Sequence, residues 1–295
     1  MLDWIAAALA AFSIYGAINI IDKLLRHEMK SPMSLVLLMA ASESLIILLA
    51  LFYGLEFPEL PILLLGIAAG IAGPVAFIPY LEALYAEEVS RVIPLFNLMP
   101  VFVLILSHLF LGEVLTTVQY AAFVLILLGS ILISLKDGRG FFSVNSKVLL
   151  LMCVSSLIYA LQLVFSKVLL MNVEFVHGLV LIGMGYLISA CFLLANGKIR
   201  TDAFRDFSMS RRHLVVLFTL FSIIGGILFY YSVMHGIPSL VSVLSGFQMV
   251  AVLAFATAIS LWYPAILKEE VTPRNMALKI VSIALMLAGL ALLYL

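Results

Sequence analysis

Residues 90–134 contain two long apolar runs, at about 92–111 and 117–135, separated by the short polar break Gly112-Glu113-Val114-Leu115-Thr116. Each run is about 20 residues long, the length at which a helix crosses the hydrocarbon core of a bilayer. Pro94 and Pro100 lie inside the first run. Prolines there are costly in a soluble helix but are tolerated in a transmembrane bundle, where neighbouring groups satisfy the freed carbonyls. The stretch is therefore predicted to be a membrane hairpin whose first helix is interrupted.

Apolar runs of this length recur along the whole chain. Of its 295 residues, 65% are hydrophobic and 11% are charged, whereas a soluble domain has about 25% charged residues. We therefore expect an all-α integral membrane protein with ten transmembrane helices. The predicted helices are 4–22, 33–53, 61–81, 92–111, 117–135, 147–168, 176–195, 213–234, 239–262 and 276–295.

The ten runs divide into two similar sets of five. At one constant offset, Tyr15 and Lys23 in the first half match Tyr159 and Lys167 in the second. Looser pairs are Ser90 with Ser239, Gly112-Glu113 with Lys268-Glu269-Glu270, and Gly129 with Gly289. Because five is an odd number, two five-helix units of one fold must cross the membrane in opposite orientations. The sequence thus predicts two inverted repeats, at 1–137 and 143–295, within one integrated domain.

Basic residues are distributed unevenly between the two ends of the predicted helices. The opposite end holds Lys167, and Lys279 lies one turn inside the tenth helix. By the positive-inside rule, the odd-numbered connectors are cytoplasmic and both termini lie outside. The connectors after helices 1, 3, 5, 7 and 9 hold Lys23, Arg26, Lys30, Arg91, Lys136, Arg139, Lys147, Lys198, Arg200, Arg205, Arg211, Arg212, Lys268 and Arg274.

Several short motifs occur in order along these helices. They are Ser31-Pro32 at the start of helix 2, the junction EALYAEEVSR at 82–91, Pro100 in helix 4, Leu111-Gly112-Glu113 followed by Gln119, and Gly129 near the end of helix 5. In the order and spacing of these motifs the chain resembles the drug/metabolite transporter superfamily, in particular its ten-helix EamA-type members.

The resemblance implies a secondary transporter with a central substrate cavity between two inverted repeats. Family members export amino acids and other small metabolites, and some take up solutes. The chain departs from the family in two respects. It lacks the arginine that family members often have early in helix 2, and it carries Glu43 a little further on. The family is usually described with cytoplasmic termini, whereas the basic residues here favour external ones.

Glu43 lies near the middle of predicted helix 2, between Ser42 and Ser44. A charged side chain at mid-membrane costs about 2.5–3.5 kcal/mol on insertion scales, so it requires a partner, water or a function. One interpretation is a carboxylate that binds a proton or a cationic substrate. The other is a structural glutamate that is protonated or hydrogen-bonded. We take Glu43 as the candidate for proton coupling.

Uncharged polar side chains within the spans are candidates for the cavity wall. They occur in helices 1 and 6 and in helices 4 and 9, as expected for a cavity on the axis between two repeats. Alternatively, the amides satisfy free carbonyls or join helices, and tyrosines near helix ends, such as Tyr230, anchor the interface. The candidate substrate-binding residues are Asn19, Asn97, Gln162, Gln248, Tyr15, Tyr80 and Tyr159.

Other classes of protein find little support in the sequence. The five Asp and five His residues form no diphosphate-binding pair and no HExxH motif, and a nucleotide-binding loop is absent. We therefore expect a transporter that is no enzyme and has neither cofactor nor metal, with an integral membrane scaffold, receptor or unrecognised enzyme as the alternative. Its expected partners are a small-molecule substrate, protons and the lipid bilayer, without nucleic acid. We expect a monomer in a prokaryotic cytoplasmic membrane that exports an amino-acid-like solute.

Overall fold

The computed structural model describes residues 3–29, 31–54, 57–87, 92–134, 145–209, 211–262 and 273–294. Regular secondary structure in these ranges is helical. The helices are α1 (Asp3–Glu28), α2 (Pro32–Tyr53), α3 (Leu60–Ala86), α4 (Leu98–Leu111), α5 (Thr117–Ser134), α6 (Ser146–Asn172), α7 (Phe175–Ala195), α8 (Gly197–Met209), α9 (Arg212–His235), α10 (Phe247–Trp262) and α11 (Pro273–Leu292).

Within the described residues, seven helices are long and apolar enough to cross a membrane, which supports a multi-pass membrane protein. They are α1, α2, α3, α6, α7, α9 and the stretch Pro238–Phe255 that includes the start of α10. Three shorter apolar helices cover Leu95–Leu111, Thr117–Ile133 and Leu278–Leu292. The ten apolar helices match the predicted runs in order, but ten membrane spans remain a prediction.

Regular α-helical backbone is interrupted at three places in the described part of the bundle, within α2 and directly before α4 and α10. The α4 helix follows a 3₁₀ turn over Ile93–Asn97, which agrees with the interruption predicted from the prolines. In α2 a 3₁₀ segment, Leu45–Leu49, begins directly after Ser44. The α10 helix follows a short helix, Pro238–Val243, and a 3₁₀ turn, Leu244–Gly246. Such breaks place free backbone groups near the middle of the bundle, where neighbouring side chains can satisfy them.

Some predicted boundaries were wrong. The first helix continues to Glu28 rather than ending at 22, and the third continues to Ala86 rather than 81. The segment 196–212, predicted to be a basic connector, instead forms the helix α8. Several predicted features lie outside the described residues, namely Ser90, Lys268-Glu269-Glu270 and the basic residues Lys30, Arg91, Lys136 and Arg139.

The helix pairs that pack together run between the two halves of the chain. The α3 helix packs against α6 and α7, and α9 packs against α1 and α2. The α4 helix packs against α6, and α1 packs against α10. Two further pairs, α5 with α11 and α2 with α7, join the halves directly. The core is therefore shared between the halves, and neither half has a separate core of its own.

The small helix α8 ties the α1–α2 junction to the α7–α9 junction, at an end of the bundle that we call the connector face. Asp206 is 1% exposed, and its Oδ2 accepts hydrogen bonds from the Ser31 amide (3.0 Å) and the Ser34 hydroxyl (2.8 Å). Ser31 directly precedes α2 and Ser34 lies in its first turn, so Asp206 caps the start of that helix from a distant part of the chain. The Glu28 carboxylate also pairs with Arg211, 3.1 Å away.

Replacement of Asp206 by alanine is expected to lower the free energy of unfolding by about 2–3 kcal/mol, because two donors at the start of α2 lose a charged acceptor. The measurement is thermal or denaturant unfolding of the purified protein in detergent. The matched control is Asp202→Ala on the same helix. Asp202 is partly exposed and pairs with Arg205, so its loss should change stability by at most about 1 kcal/mol. Equal effects of the two substitutions would contradict the capping role.

Candidate functional site

A cavity of about 230 Å³ lies where α1, α2, α3, α4, α6, α7, α9 and α10 converge. All eight side chains singled out in the sequence line it, although they come from six helices spread over both halves of the chain. Their roles in binding or coupling stay predictions. The eight are Tyr15, Asn19, Glu43, Tyr80, Asn97, Tyr159, Gln162 and Gln248.

Glu43 lies on α2 just before the helix changes to its 3₁₀ segment, and its residue is 7% exposed. Its carboxylate packs against Gly226 of α9, where an added Cβ would lie 2.8 Å from Oε2. In the part of the chain that the structure describes, no hydrogen bond or salt bridge reaches this carboxylate. A buried glutamate without a counter-ion is stable when it carries a proton or faces a cation.

A hydrogen-bonded cluster of three residues forms the wall contributed by α6, α7 and α9. Gln162 Nε2 donates to the Tyr186 hydroxyl at 2.9 Å and lies 3.3 Å from the Tyr230 hydroxyl. Gly73 of α3 leaves room for the cluster, because a Cβ there would lie 2.6 Å from the Tyr186 hydroxyl and 3.0 Å from Gln162 Nε2. The side chain of Gln162 is thus held in one orientation at the cavity surface.

Two groups of aromatic rings line the cavity, and each group contains residues of both halves of the chain. Tyr80 stacks on Phe77, and Phe96 lies edge-on between Tyr80 and Tyr159, with centroid distances of 5.6–5.8 Å. On the other side, Phe229 contacts Phe12, Tyr15 and Tyr230 at 5.3–6.3 Å. Tyr159 and Tyr15, which match in the two halves of the sequence, belong to different groups.

Asn97 links two helices as well as lining the cavity. It is the last residue of the 3₁₀ turn before α4, and its Oδ1 accepts a hydrogen bond of 2.6 Å from the Ser130 hydroxyl of α5. Ser130 in turn lies against Gly246, where a Cβ would be 2.5 Å from the serine Cβ. The packing role considered for Asn97 is therefore real, and its position on the cavity wall leaves a substrate contact open.

Sequence reasoning missed several of the lining residues. Asp22 was placed at a helix end, but α1 extends past it, and Asp22 is 7% exposed on the cavity wall. The spacing of Tyr15, Asn19 and Asp22 at i, i+4 and i+7 was a signal for one helix face. Tyr186 was not considered. Tyr230 had two interpretations, a cavity residue or an interfacial anchor, and it lies buried in the cavity wall. Ser222 and Ser245 also line the cavity.

The cavity extends toward the connector face. Ile93, at the start of the 3₁₀ turn before α4, and Asp22, six residues before the end of α1, both line it. The opposite end of the bundle, which we call the hairpin face, contains the 112–116 loop and the α9–α10 junction. Buried apolar residues pack between that face and the cavity, including Ile5, Leu240 and Leu244.

Polar contacts join the two halves at the hairpin face. Gly112 ends α4 in a left-handed conformation with φ 65°, and the next residue, Glu113, accepts a hydrogen bond from the Ser239 hydroxyl. Burial raises the pKa of Glu113, although this hydrogen bond and the positive charge of Lys167 oppose the shift. Lys167 donates to the carbonyls of Val233, Met234 and Gly236 at 2.8–3.0 Å, which caps the end of α9.

Substitution of Gly226 by alanine is expected to displace the Glu43 carboxylate, to abolish most of the proton-coupled transport that the sequence predicts for this residue, and to leave the fold intact. The added methyl would meet the end of a flexible side chain, so the carboxylate moves while the backbone stays in place. The measurement is solute uptake into liposomes containing the purified variant, with the melting temperature as the check on folding. Gly197→Ala is the control, because a Cβ there meets nothing within 4 Å. Full transport by Gly226→Ala would contradict this reading of the contact.

Among the described residues, no group of three or more His, Cys, Asp or Glu side chains could hold a metal ion. A solved crystal structure shares the fold of the chain with a TM-score of 0.71 and 16% sequence identity, over 99% of this chain and 94% of that one. No curated protein gives a significant match. The model of the EamA-like transporter family matches residues 2–135, so the first half of the chain is similar to that family.

Proposed function

We propose that this chain is a secondary active transporter that moves a small metabolite across a membrane by alternating access. The observation that carries the proposal is the central cavity, which is built from both halves of the chain and contains a buried carboxylate that has no counter-ion among the described residues. The match to a transporter family in the first half supports the same class of function. Export is the proposed direction, as in the family that the sequence resembles, whose substrates include amino acids and other small metabolites.

The packing of the helices supports the proposal of two repeats. If each of α1–α5 is exchanged with its counterpart among α6, α7, α9, α10 and α11, then the main packing pairs become other observed pairs. Thus α3 with α6 exchanges with α9 and α1, and α4 with α6 exchanges with α10 and α1. The pairs α5 with α11 and α2 with α7 each exchange with themselves. A cavity on the axis between inverted repeats can open toward either face when the repeats rock.

Proton coupling is proposed through Glu43. A carboxylate in a water-poor cavity holds a proton more readily than one in water, and it can release that proton when the cavity opens or a substrate arrives. A proton gradient across the membrane would then drive the solute against its own gradient. The mechanism requires no nucleotide.

The experiment is a screen of labelled metabolites for uptake into liposomes that contain the purified protein, with and without a pH gradient. The proposal predicts that at least one solute accumulates above its equilibrium level when the gradient is present, compared with protein-free liposomes. A scaffold or receptor would bind solutes without accumulation, and an enzyme would convert them. Absence of accumulation across the amino-acid and amine classes would overturn the proposal.

The proposed orientation places the connector face in the cytoplasm. The test uses single cysteines introduced into a chain whose Cys153 and Cys191 have been replaced. Thr201→Cys lies on α8 at the connector face, and Glu174→Cys lies at the start of α7 on the opposite face; both positions are exposed. In intact cells, an impermeant maleimide should label the cysteine at position 174 and leave the one at position 201 unlabelled. The cysteine at position 201 should react only after the cells are permeabilised. The reverse pattern would contradict the charge bias.

A further inference from the structure

The charged side chains of the cavity wall are all acidic. Among the described residues that line the cavity, Asp22 and Glu43 are the two carboxylates, and none is Lys, Arg or His. Arg26 contacts Asp22 from the next turn of α1 but does not itself line the cavity. The wall therefore carries negative charge whenever either carboxylate is ionised, and it offers no fixed cation to a bound anion.

Both carboxylates retain the capacity to bind. Glu43 has no hydrogen bond or salt bridge within the described residues and faces Tyr15, Tyr186 and Tyr230. For Asp22, the Arg26 Nε lies 3.8 Å from Oδ2, while Oδ1 is buried without a hydrogen-bond partner among the described residues. An unsatisfied buried carboxylate oxygen is costly, so a cationic ligand in the cavity would remove a penalty that the protein bears without it.

The remainder of the wall suits a cation with an aromatic or apolar body. Ten of the 25 lining residues are aromatic, and ring faces attract a cation by about 0.5–2 kcal/mol, with the larger values in desolvated sites. The aromatic groups on the two sides of the cavity can enclose a flat apolar group. The amides of Gln162 and Gln248 can orient it without adding charge.

We propose that the substrates are organic monocations with an aromatic body and no carboxylate, such as arylalkylamines, whose ammonium group binds at Glu43. This rests on the proposed function, which makes the cavity the transport site. A zwitterionic amino acid would bring a carboxylate into a wall without a cation. Asp22 lies seven residues from Tyr15 along α1, or about 10 Å at 1.5 Å per residue. It thus provides a second negative charge toward the connector face, which raises the local concentration of cations there.

The test measures equilibrium binding of four probes with the same phenyl group to the purified full-length protein, by calorimetry near neutral pH. The probes are phenethylamine, phenylalanine, 2-phenylethanol and 3-phenylpropionate. We expect phenethylamine to bind about tenfold more tightly than any other probe. One ionic contact that no like charge opposes, together with the attraction of ring faces for the ammonium group, supplies a gain in affinity of this size. Its affinity should fall at lower pH, because protons compete for the same carboxylate. Equal or tighter binding of another probe, or no detectable binding of phenethylamine, would overturn the proposal.

Substitutions show which carboxylate binds the ammonium group. Glu43→Gln should abolish the preference for phenethylamine over 2-phenylethanol. Asp22→Asn should lower the affinity for phenethylamine about threefold, because a more distant negative charge is lost. Glu82→Gln is the control, since Glu82 is exposed on α3 and does not line the cavity. A preference that survives Glu43→Gln would overturn the assignment of the ammonium site. Because the comparison of probes on the unmodified protein needs no variant, the test holds even if a variant fails to fold.

The outcomes separate this proposal from the transport function. Accumulation of a zwitterion or anion in liposomes, without preference for phenethylamine, would overturn the substrate class and leave transport standing. Selective binding of phenethylamine without accumulation of any cation would support the chemistry of the cavity and overturn transport.

Discussion

Glu43→Gln is expected to eliminate the response of solute transport to a pH gradient. Glutamine keeps the size and polarity of the side chain but cannot release a proton or carry a charge, so the exchange of a proton for a solute at this position is lost. We expect accumulation driven by the gradient to fall to the level of protein-free liposomes. The measurement is uptake of labelled solute into liposomes with an imposed pH difference.

The fold should survive this substitution. Glu43 has no salt bridge within the described residues, and a neutral amide is less costly to bury than an ionised carboxylate. The melting temperature of Glu43→Gln should therefore equal or exceed that of the unmodified protein. Glu82→Gln, which removes an exposed carboxylate from α3, should retain coupling. If the Glu43→Gln variant carried out coupled transport at the rate of the unmodified protein, Glu43 would not be the proton-coupling residue.

Gly70→Ala is expected to have the largest effect on folding. Gly70 of α3 and Gly185 of α7 lie against one another's backbones. A Cβ at 70 would lie 2.0 Å from the Ile182 carbonyl oxygen, and one at 185 would lie 2.2 Å from the Ile67 carbonyl oxygen. Two helices can approach this closely where both present glycine. Since backbone atoms cannot turn aside as a side chain can, the added methyl would force α3 and α7 apart.

We expect Gly70→Ala to destabilise the protein by more than the ~1–3 kcal/mol typical of overpacking. The measurement is the yield of monodisperse protein after detergent extraction, followed by thermal unfolding. Gly197→Ala is the control, because it makes the same chemical change in open space on α8. A Gly70→Ala protein with normal yield and melting temperature would show that the two helices are less tightly packed than the structure indicates.

Much of the site could be predicted because the membrane makes polar groups conspicuous. Asn19, Asn97, Gln162, Gln248 and Glu43 stand out against apolar helices, and a polar group in hydrocarbon requires either a partner or a cavity. The same logic gave the positions of the helices, since each requires a run of apolar residues of nearly fixed length. Gly66 and Gly70 of α3 pack against α7, which is where small residues allow membrane helices to approach closely.

The remaining features depend on contacts between distant parts of the chain. Gly226 makes room for Glu43, and Gly73 makes room for Tyr186. Both contacts depend on how the helices are rotated about their axes relative to each other. Hydrophobic runs determine that rotation weakly, because lipid is as apolar as the core. The helix α8 was missed because its sequence is polar and charged, and its position is fixed by Asp206 bonding to the start of α2.

Asp22 shows a different limit. The basic residues that follow it, Lys23 and Arg26, suggested that the membrane span ended there, but a helix can continue beyond the hydrocarbon core when its charged side chains reach polar surroundings. Because α1 continues to Glu28, Asp22 lies within the helix on its cavity face, and Arg26 lies one turn further on the same face. The second carboxylate of the cavity could therefore be recognised only once the true length of α1 was known.

The most direct test of the account is whether one cavity position can be reached from each side of the membrane in turn. Ser245→Cys, in a chain without other cysteines, places a thiol on the cavity wall. Liposomes carrying this variant are treated with an impermeant maleimide from one side at a time. Alternating access predicts that the thiol reacts from both sides and that a transported solute changes the rates. A thiol that reacts from one side alone, under every gradient and solute, would contradict the account.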